Sequence, residues 1–134
     1  IVNGDIIDLR TARVALDQSG ADALMIGRGA YGRPWLATQI EAELAGHTYT
    51  EPHAEARLAI VLDHFRHSLA FYGDRLGLKM FRKHLGSYIE AAPWPTSATE
   101  RREAKAALCR LEDPAEVERG LTALWRPYFE RLAA

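Results

Sequence analysis

The sequence predicts a chain of two parts, an α/β segment followed by an all-α segment, predominantly helical overall. Two short apolar runs near the start are each followed by a turn and a helical pattern, which gives strand–helix–strand–helix. Beyond His47-Thr48-Tyr49-Thr50-Glu51-Pro52 the character changes: no further strand is legible, and four apolar stripes at helical spacing follow. That second part is expected to be a small helical bundle. The boundary falls at 1–46 and 47–134. With 134 residues, 48% of them hydrophobic and 26% charged, the chain has ordinary globular composition and enough length for one or two small cores.

Ile1-Val2 is a strand stub cut off by the turn Asn3-Gly4-Asp5. Leu9 to Gln18 carries Leu9, Ala12 and Leu16 at helical spacing, and Ser19-Gly20 stops it, glycine being favoured just past a helix end. Ala23 to Ile26 is the brief apolar run expected of a parallel strand buried on both faces. Gly27 to Gly32 is glycine-rich, and Pro34 suits the first position of a helix reaching about Leu44.

In the second part, a helix from about His53 to Tyr72 lines up Leu58, Leu62, Phe65, Leu69 and Tyr72, and Gly73 ends it. The next, about Leu76 to Ala91, aligns Leu78, Phe81, Leu85, Tyr88 and Ile89. Pro93-Trp94-Pro95 breaks the chain, and either Ser97 or Thr99 would cap a third helix ending near Leu111. Asp113-Pro114-Ala115-Glu116 starts a fourth, running to about Leu132, which Pro127 should kink or end early.

A net charge of −1 excludes a polycation, so nucleic-acid contact would have to come from a local patch. The single Cys109 forms no internal disulfide and suits a reducing compartment. No apolar run approaches the ~20 residues of a membrane span. The opening Ile1-Val2-Asn3-Gly4-Asp5, without an initiating Met, is expected to be the interior of a longer protein.

Three places carry chemistry. Gly27-Arg28-Gly29 follows a strand; glycines let backbone N–H groups approach an anion, and Arg28 adds a charged fork, a combination that fits phosphate. A tight turn with a solvated arginine is an equal reading of that motif alone. Residues 27–32 also match G-x-G-x-x-G, but the dinucleotide reading needs a second strand ending in an acidic residue, and Glu51 follows no strand. Asn3-Gly4-Asp5, at the carboxyl end of the first strand, would sit beside that turn if the strands are parallel neighbours, as in barrel phosphate sites after strands 7 and 8.

Arg75, Lys79, Arg82 and Lys83 fall at helical spacing, with Gly77 and Gly86 available for a close backbone approach and Tyr88, His84 and Trp94 nearby. Such a face would hold an RNA backbone, or be only a solvated amphipathic surface. His64 and His67 are spaced like metal ligands but lack partners, so no metal is expected. Cys109 is expected to be a packed small residue, with Trp35 and Trp125 as core or interface anchors.

Taken in order, Asn3-Gly4-Asp5, Ser19-Gly20-Ala21-Asp22, Met25-Ile26-Gly27-Arg28-Gly29-Ala30, Gly32-Arg33-Pro34-Trp35, Phe71-Tyr72-Gly73 and Phe81-Arg82-Lys83-His84-Leu85-Gly86-Ser87-Tyr88 resemble the C-terminal part of bacterial tRNA-dihydrouridine synthases, closest to the B-type branch. The resemblance covers essentially the whole chain. It implies a cytoplasmic flavin oxidoreductase, monomeric at full length, that uses FMN and NADPH to reduce the C5–C6 bond of selected tRNA uridines. It implies the last two βα units of a TIM barrel in residues 1–46 and a helical tRNA-binding domain in 47–134. Asn3, Gly4, Asp5, Gly27 and Arg28 would then hold FMN, the last two at its phosphate, and the helix of Lys79, Arg82 and Lys83 would belong to the tRNA-contacting domain. A barrel needs about 250 residues, so roughly 200 would lie upstream, including the family's catalytic cysteine. Cys109 does not match that cysteine, and the chain alone is expected to be inactive. The alternative is another phosphate-binding barrel enzyme with a helical dimerisation tail.

Overall fold

The computed structural model describes residues 1–92 and 97–132, with residues 127–132 described by backbone alone. Pro93-Trp94-Pro95 and the Trp94 named above lie outside the described residues. The chain divides into two compact units, Ile1–Glu51 and Pro52–Ala134.

In the first unit the order is β1 (Val2–Asn3), α1 (Leu9–Ser19), β2 (Leu24–Met25), a single 3₁₀ turn (Arg28–Ala30) and α2 (Leu36–Leu44). β1 and β2 pair in parallel, Val2 opposite Leu24 and Asn3 opposite Met25. The loop from β1 is pinned by a reciprocal cap. Thr11 N–H donates to Asp8 Oδ1 at 2.7 Å, and Asp8 N–H donates back to Thr11 Oγ1 at 3.1 Å. The Thr11 amide, and then the Thr11 hydroxyl donating to Asp8 Oδ1 at 2.8 Å, hold the Asp8 carboxyl below its ordinary range. Gly20, at φ 65°, closes α1 by donating to the Leu16 carbonyl. Ile6, Ala12, Leu36 and Ile40 are the buried core, with Leu24 and Ile26 half-buried against it.

Two expectations for this unit are corrected. The second strand is not buried on both faces: Met25 is exposed and Leu24 only half-buried, because α1 and α2 supply a single apolar cover for two strands. Pro34 does not open α2, which begins two residues later. Bonds from Tyr31 to Arg28, Arg33 to Ala30 and Leu36 to Arg33 carry the chain through successive i→i+3 turns first.

The second unit contains α3 (Ala54–Tyr72), α4 (Asp74–Ala91), α5 (Ala98–Arg110) and α6 (Pro114–Leu132). Phe65, Phe81, Leu85, Ile89, Leu121 and Trp125 are fully buried in its core. Phe65 of α3 and Phe81 of α4 meet with ring centroids 4.9 Å apart. Burial of rings this size dominates the stability of such a bundle. Ser97, not Thr99, caps α5: its hydroxyl accepts from Glu100 N–H at 3.2 Å while Glu100 accepts from Ser97 N–H at 2.7 Å. Asp113 Oδ1 accepts from Ala115 N–H at 2.9 Å at the start of α6. The helix does not end at Pro127 but continues to Leu132; one missing amide donor leaves the rest of the ladder in place. Tyr72 falls off the α3 stripe and is exposed, and α4 begins at Asp74, immediately after Gly73 turns the chain at φ 76°.

Candidate functional site

Parallel pairing of β1 with β2 places the loops after both strands at the same end of the pair. One cavity of about 520 Å³ opens there, lined by Asn3, Gly4, Asp5, Ile6, Ile7, Met25, Gly27, Arg28 and Gly29. All five residues expected at a phosphate or cofactor site in this unit therefore share one cavity. Gly4, at φ 124°, and Asp5, at φ 46°, adopt left-handed backbone, which turns the loop sharply back toward Ile6. Arg28 Nη2 lies 3.3 Å from Asp5 Oδ1, and both side chains are almost fully exposed. An ion pair in that setting is worth little and is easily exchanged for another anion.

Sequence reasoning missed what joins the two loops. Ile6 is buried, and its carbonyl oxygen stands where a Gly29 Cβ would be. Gly29 is thus a glycine of close approach, fixing the second loop against the first. The signal was present as an apolar residue directly after Asn3-Gly4-Asp5, with no helical phase of its own. The G-x-G-x-x-G decoy is also accounted for. Its first glycine opens a 3₁₀ turn rather than an α-helix, and Glu51 follows no strand and pairs with Arg33 at 3.3 Å.

The second unit separates the four basic residues. Arg75, Lys79 and Lys83, spaced four apart, are exposed along one edge of α4. Arg82 is half-buried and donates from Nη2 to the Leu111 carbonyl, 3.2 Å away, at the end of α5. Arg101 does the same for α4, donating to the Ile89 and Glu90 carbonyls at 2.7 and 3.1 Å. These two arginines satisfy helix C-terminal carbonyls. Gly77 and Gly86 are buried by protein rather than open to a ligand backbone. A Cβ on Gly77 would lie 2.5 Å from the Ser68 carbonyl oxygen of α3, and the Lys105 side chain covers Gly86 on its way to Glu90, 2.6 Å from Nζ.

His64 belongs to a ring cluster between α3 and α4. Its centroid lies 4.7 Å from His84 and 5.2 Å from Phe81, and its Nδ1 is 3.0 Å from the Tyr88 hydroxyl. Burial, with His67 nearby, holds His64 below its ordinary pKa; burial, then His64 and Lys83, lowers His84; burial pushes Tyr88 up to about 12. His67 is exposed beside Asp63. Among the described residues no three His, Cys, Asp or Glu side chains converge as a metal site would require, and no helix is long and apolar enough to cross a membrane. Cys109 is half-buried against the core and burial raises its thiol pKa, so it is a packing residue without an activated thiolate.

The model of the dihydrouridine synthase family matches residues 1–124. The chain is 42% identical to a probable tRNA-dihydrouridine synthase of Rhodobacter capsulatus, over all of this chain and 38% of the relative. It is 40% identical to a probable tRNA-dihydrouridine synthase of Rickettsia bellii, over 88% of this chain and 35% of the relative. It is 41% identical to tRNA-dihydrouridine synthase B of Pseudomonas putida, over 68% of this chain and 27% of the relative. The chain thus spans less than two fifths of the length of each of these relatives.

Proposed function

Because the chain belongs to the dihydrouridine synthase family, we propose that it forms the C-terminal part of a cytoplasmic enzyme that reduces the C5–C6 double bond of particular uridines in tRNA, with FMN as its flavin and NADPH as reductant. Residues 1–46 close the FMN-binding barrel and residues 47–134 are the tRNA-binding domain.

The observation that carries the cofactor half is the meeting of Asn3, Gly4, Asp5, Gly27 and Arg28 around one cavity at the strand ends. The donor set fits a phosphate. Arg28 offers a charge-assisted fork from an exposed position, and an added Cβ at Gly4 or Gly27 would meet nothing within 4 Å, so backbone is open to a ligand there. Ile7 and Met25, both exposed, add apolar wall suited to a ring system. When bound, the flavin supplies the hydride chemistry. The residues of this chain bind and orient it: Arg28 with Gly27 at the phosphate, Asn3 to Asp5 alongside. The proton donor to the uracil lies outside this chain, which alone is inactive.

The RNA half rests on the exposed row Arg75, Lys79 and Lys83, with Arg82 behind it. Arg82 is tied to the end of α5, so it contributes positive potential and shapes the row.

A chimera tests the whole reading. This chain replaces the segment it aligns with in the Rhodobacter capsulatus relative, and dihydrouridine formation on tRNA and flavin content are measured. Both are expected to be retained, and Arg28→Ala is expected to release the flavin. A folded chimera that binds no flavin, or binds it without acting on tRNA, overturns the proposal. For the chain alone, tRNA affinity should fall steeply with salt and weaken when Arg75, Lys79 and Lys83 are neutralised; affinity indifferent to both overturns the RNA half.

A further inference from the structure

The corner between α3 and α4 carries an aromatic side chain where a folded bundle would ordinarily hide one. Phe71, the penultimate residue of α3, is 81% exposed, more than any other described phenylalanine, tyrosine or tryptophan. Tyr72 stands edge-on behind it, with ring centroids 4.7 Å apart and planes at 80°. That contact steadies Phe71 from the side and leaves a face of its ring to solvent. A single residue, Gly73, separates this pair from α4, whose first turn carries Arg75, the first member of the Arg75, Lys79 and Lys83 row. Arg75 and Lys83 are eight steps apart, about 12 Å along the helix.

An exposed aromatic beside a row of cations is the combination by which proteins hold unpaired nucleotides: the cations track the backbone and the ring takes a base. A protein partner would match the ring and the exposed Leu76 and Met80 of α4 but not the three cations interleaved with them; a fully paired RNA would match the cations but offer the ring nothing to stack on. We propose that Phe71, braced by Tyr72, is a stacking platform for an unpaired base of the RNA whose backbone lies along Arg75, Lys79 and Lys83. This rests on the RNA-binding reading above and adds to it that the recognised element is single-stranded at this corner.

The test uses the 134-residue chain with an unmodified tRNA transcript and a blunt, fully paired RNA duplex, each titrated at several salt concentrations. Phe71→Ala is expected to weaken tRNA binding about 5- to 150-fold, the range for losing one base–aromatic stack. It should leave the salt dependence and duplex binding unchanged, and Phe71→Trp should restore affinity. Lys79→Ala should instead reduce the slope of log affinity against log salt by about 0.7. If tRNA binds with the expected salt dependence but Phe71→Ala has wild-type affinity, the platform is refuted and the RNA-binding reading stands. If wild type binds no tRNA, both fail. If Phe71→Ala abolishes a dimer in light scattering while leaving tRNA affinity intact, the ring is a self-association contact and the proposal is overturned. Circular dichroism of Phe71→Ala should match wild type, since the removed ring is outside the core.

Discussion

Gly29 approaches the Ile6 carbonyl oxygen so closely that no side chain fits between them. Through this contact the turn after the second strand is held against the loop after the first, and both loops line the candidate phosphate cavity. Gly29→Ala forces backbone apart, since the obstructing atom is not a movable side-chain end. The substitution is expected to lower stability by about 1–3 kcal/mol and to abolish binding at the cavity. Thermal melts and flavin content of the chimera would measure both; a variant with wild-type melting and flavin content would show that the two loops are not held by this contact.

Arg28 and Asp5 form an ion pair that is nearly all exposed. Removing either charge should leave the melting temperature unchanged. Ligand binding should respond differently: Arg28→Gln is expected to cost at least about tenfold in flavin affinity through loss of a charge-assisted bond. Equilibrium dialysis of the chimera against FMN and riboflavin checks this. A phosphate role for Arg28 predicts a loss for FMN and little change for riboflavin.

Two buried glycines on α4 should respond in opposite directions to alanine. Helix propensity favours alanine by about 1 kcal/mol at both. At Gly77 the new Cβ meets the α3 backbone, 2.5 Å from the Ser68 oxygen and 2.8 Å from the Leu69 Cα, so overpacking of about 1–3 kcal/mol outweighs the gain. At Gly86 it meets only the far end of Lys105, which is free to swing at the expense of a partly exposed ion pair with Glu90. Urea unfolding should show Gly77→Ala destabilised and Gly86→Ala unchanged or more stable.

Arg82 and Arg75 should separate in the same way between folding and binding. Arg82→Ala removes the donor to the Leu111 carbonyl and is expected to destabilise the bundle by about 1 kcal/mol or more. Arg75→Ala should leave stability alone and weaken RNA binding. Equal melting temperatures for the two variants would refute the helix-end role of Arg82.

His64 and His84 both have lowered pKa values in the fold, chiefly from burial. Around them, Asp63 pulls His64 upward, while His67 and Lys83 push the pair down, and Tyr88 stays protonated. The unfolded chain, with histidines near 6.5, then binds more protons below that pH. Stability is full above about pH 6.5 and declines as pH falls through the lowered folded values. Melting temperature measured from pH 8 to 5 should drop at the acid end, and a His64→Asn, His84→Asn double variant should show a smaller drop.

The sequence by itself determined the order of strands and helices and several of the helix ends. The helical spacing of Leu78, Phe81, Leu85, Tyr88 and Ile89 fixed the buried face of α4, because an amphipathic period is a local property that packing only has to accept. Gly20, Gly73 and Asp113 marked their helix ends through backbone and side-chain chemistry confined to a few residues. Likewise, Asn3-Gly4-Asp5 and Gly27-Arg28 were legible as loops after strands. Tertiary structure decided what depends on distant neighbours. It made Met25 exposed, since a two-stranded sheet has one covered face, and it set α2 back to Leu36 behind linked 3₁₀ turns. It chose Ser97 over Thr99 through the reciprocal bond with Glu100. It also sorted residues of one type into different roles: Arg82 to the end of α5 and Arg75 to the surface, Gly29 and Gly77 to backbone crossings. Charge and glycine are visible in a sequence, but the partner 23, 29 or 9 positions away that gives each its use, Asp5 for Arg28, Leu111 for Arg82, Ser68 for Gly77, is supplied only by the folded chain.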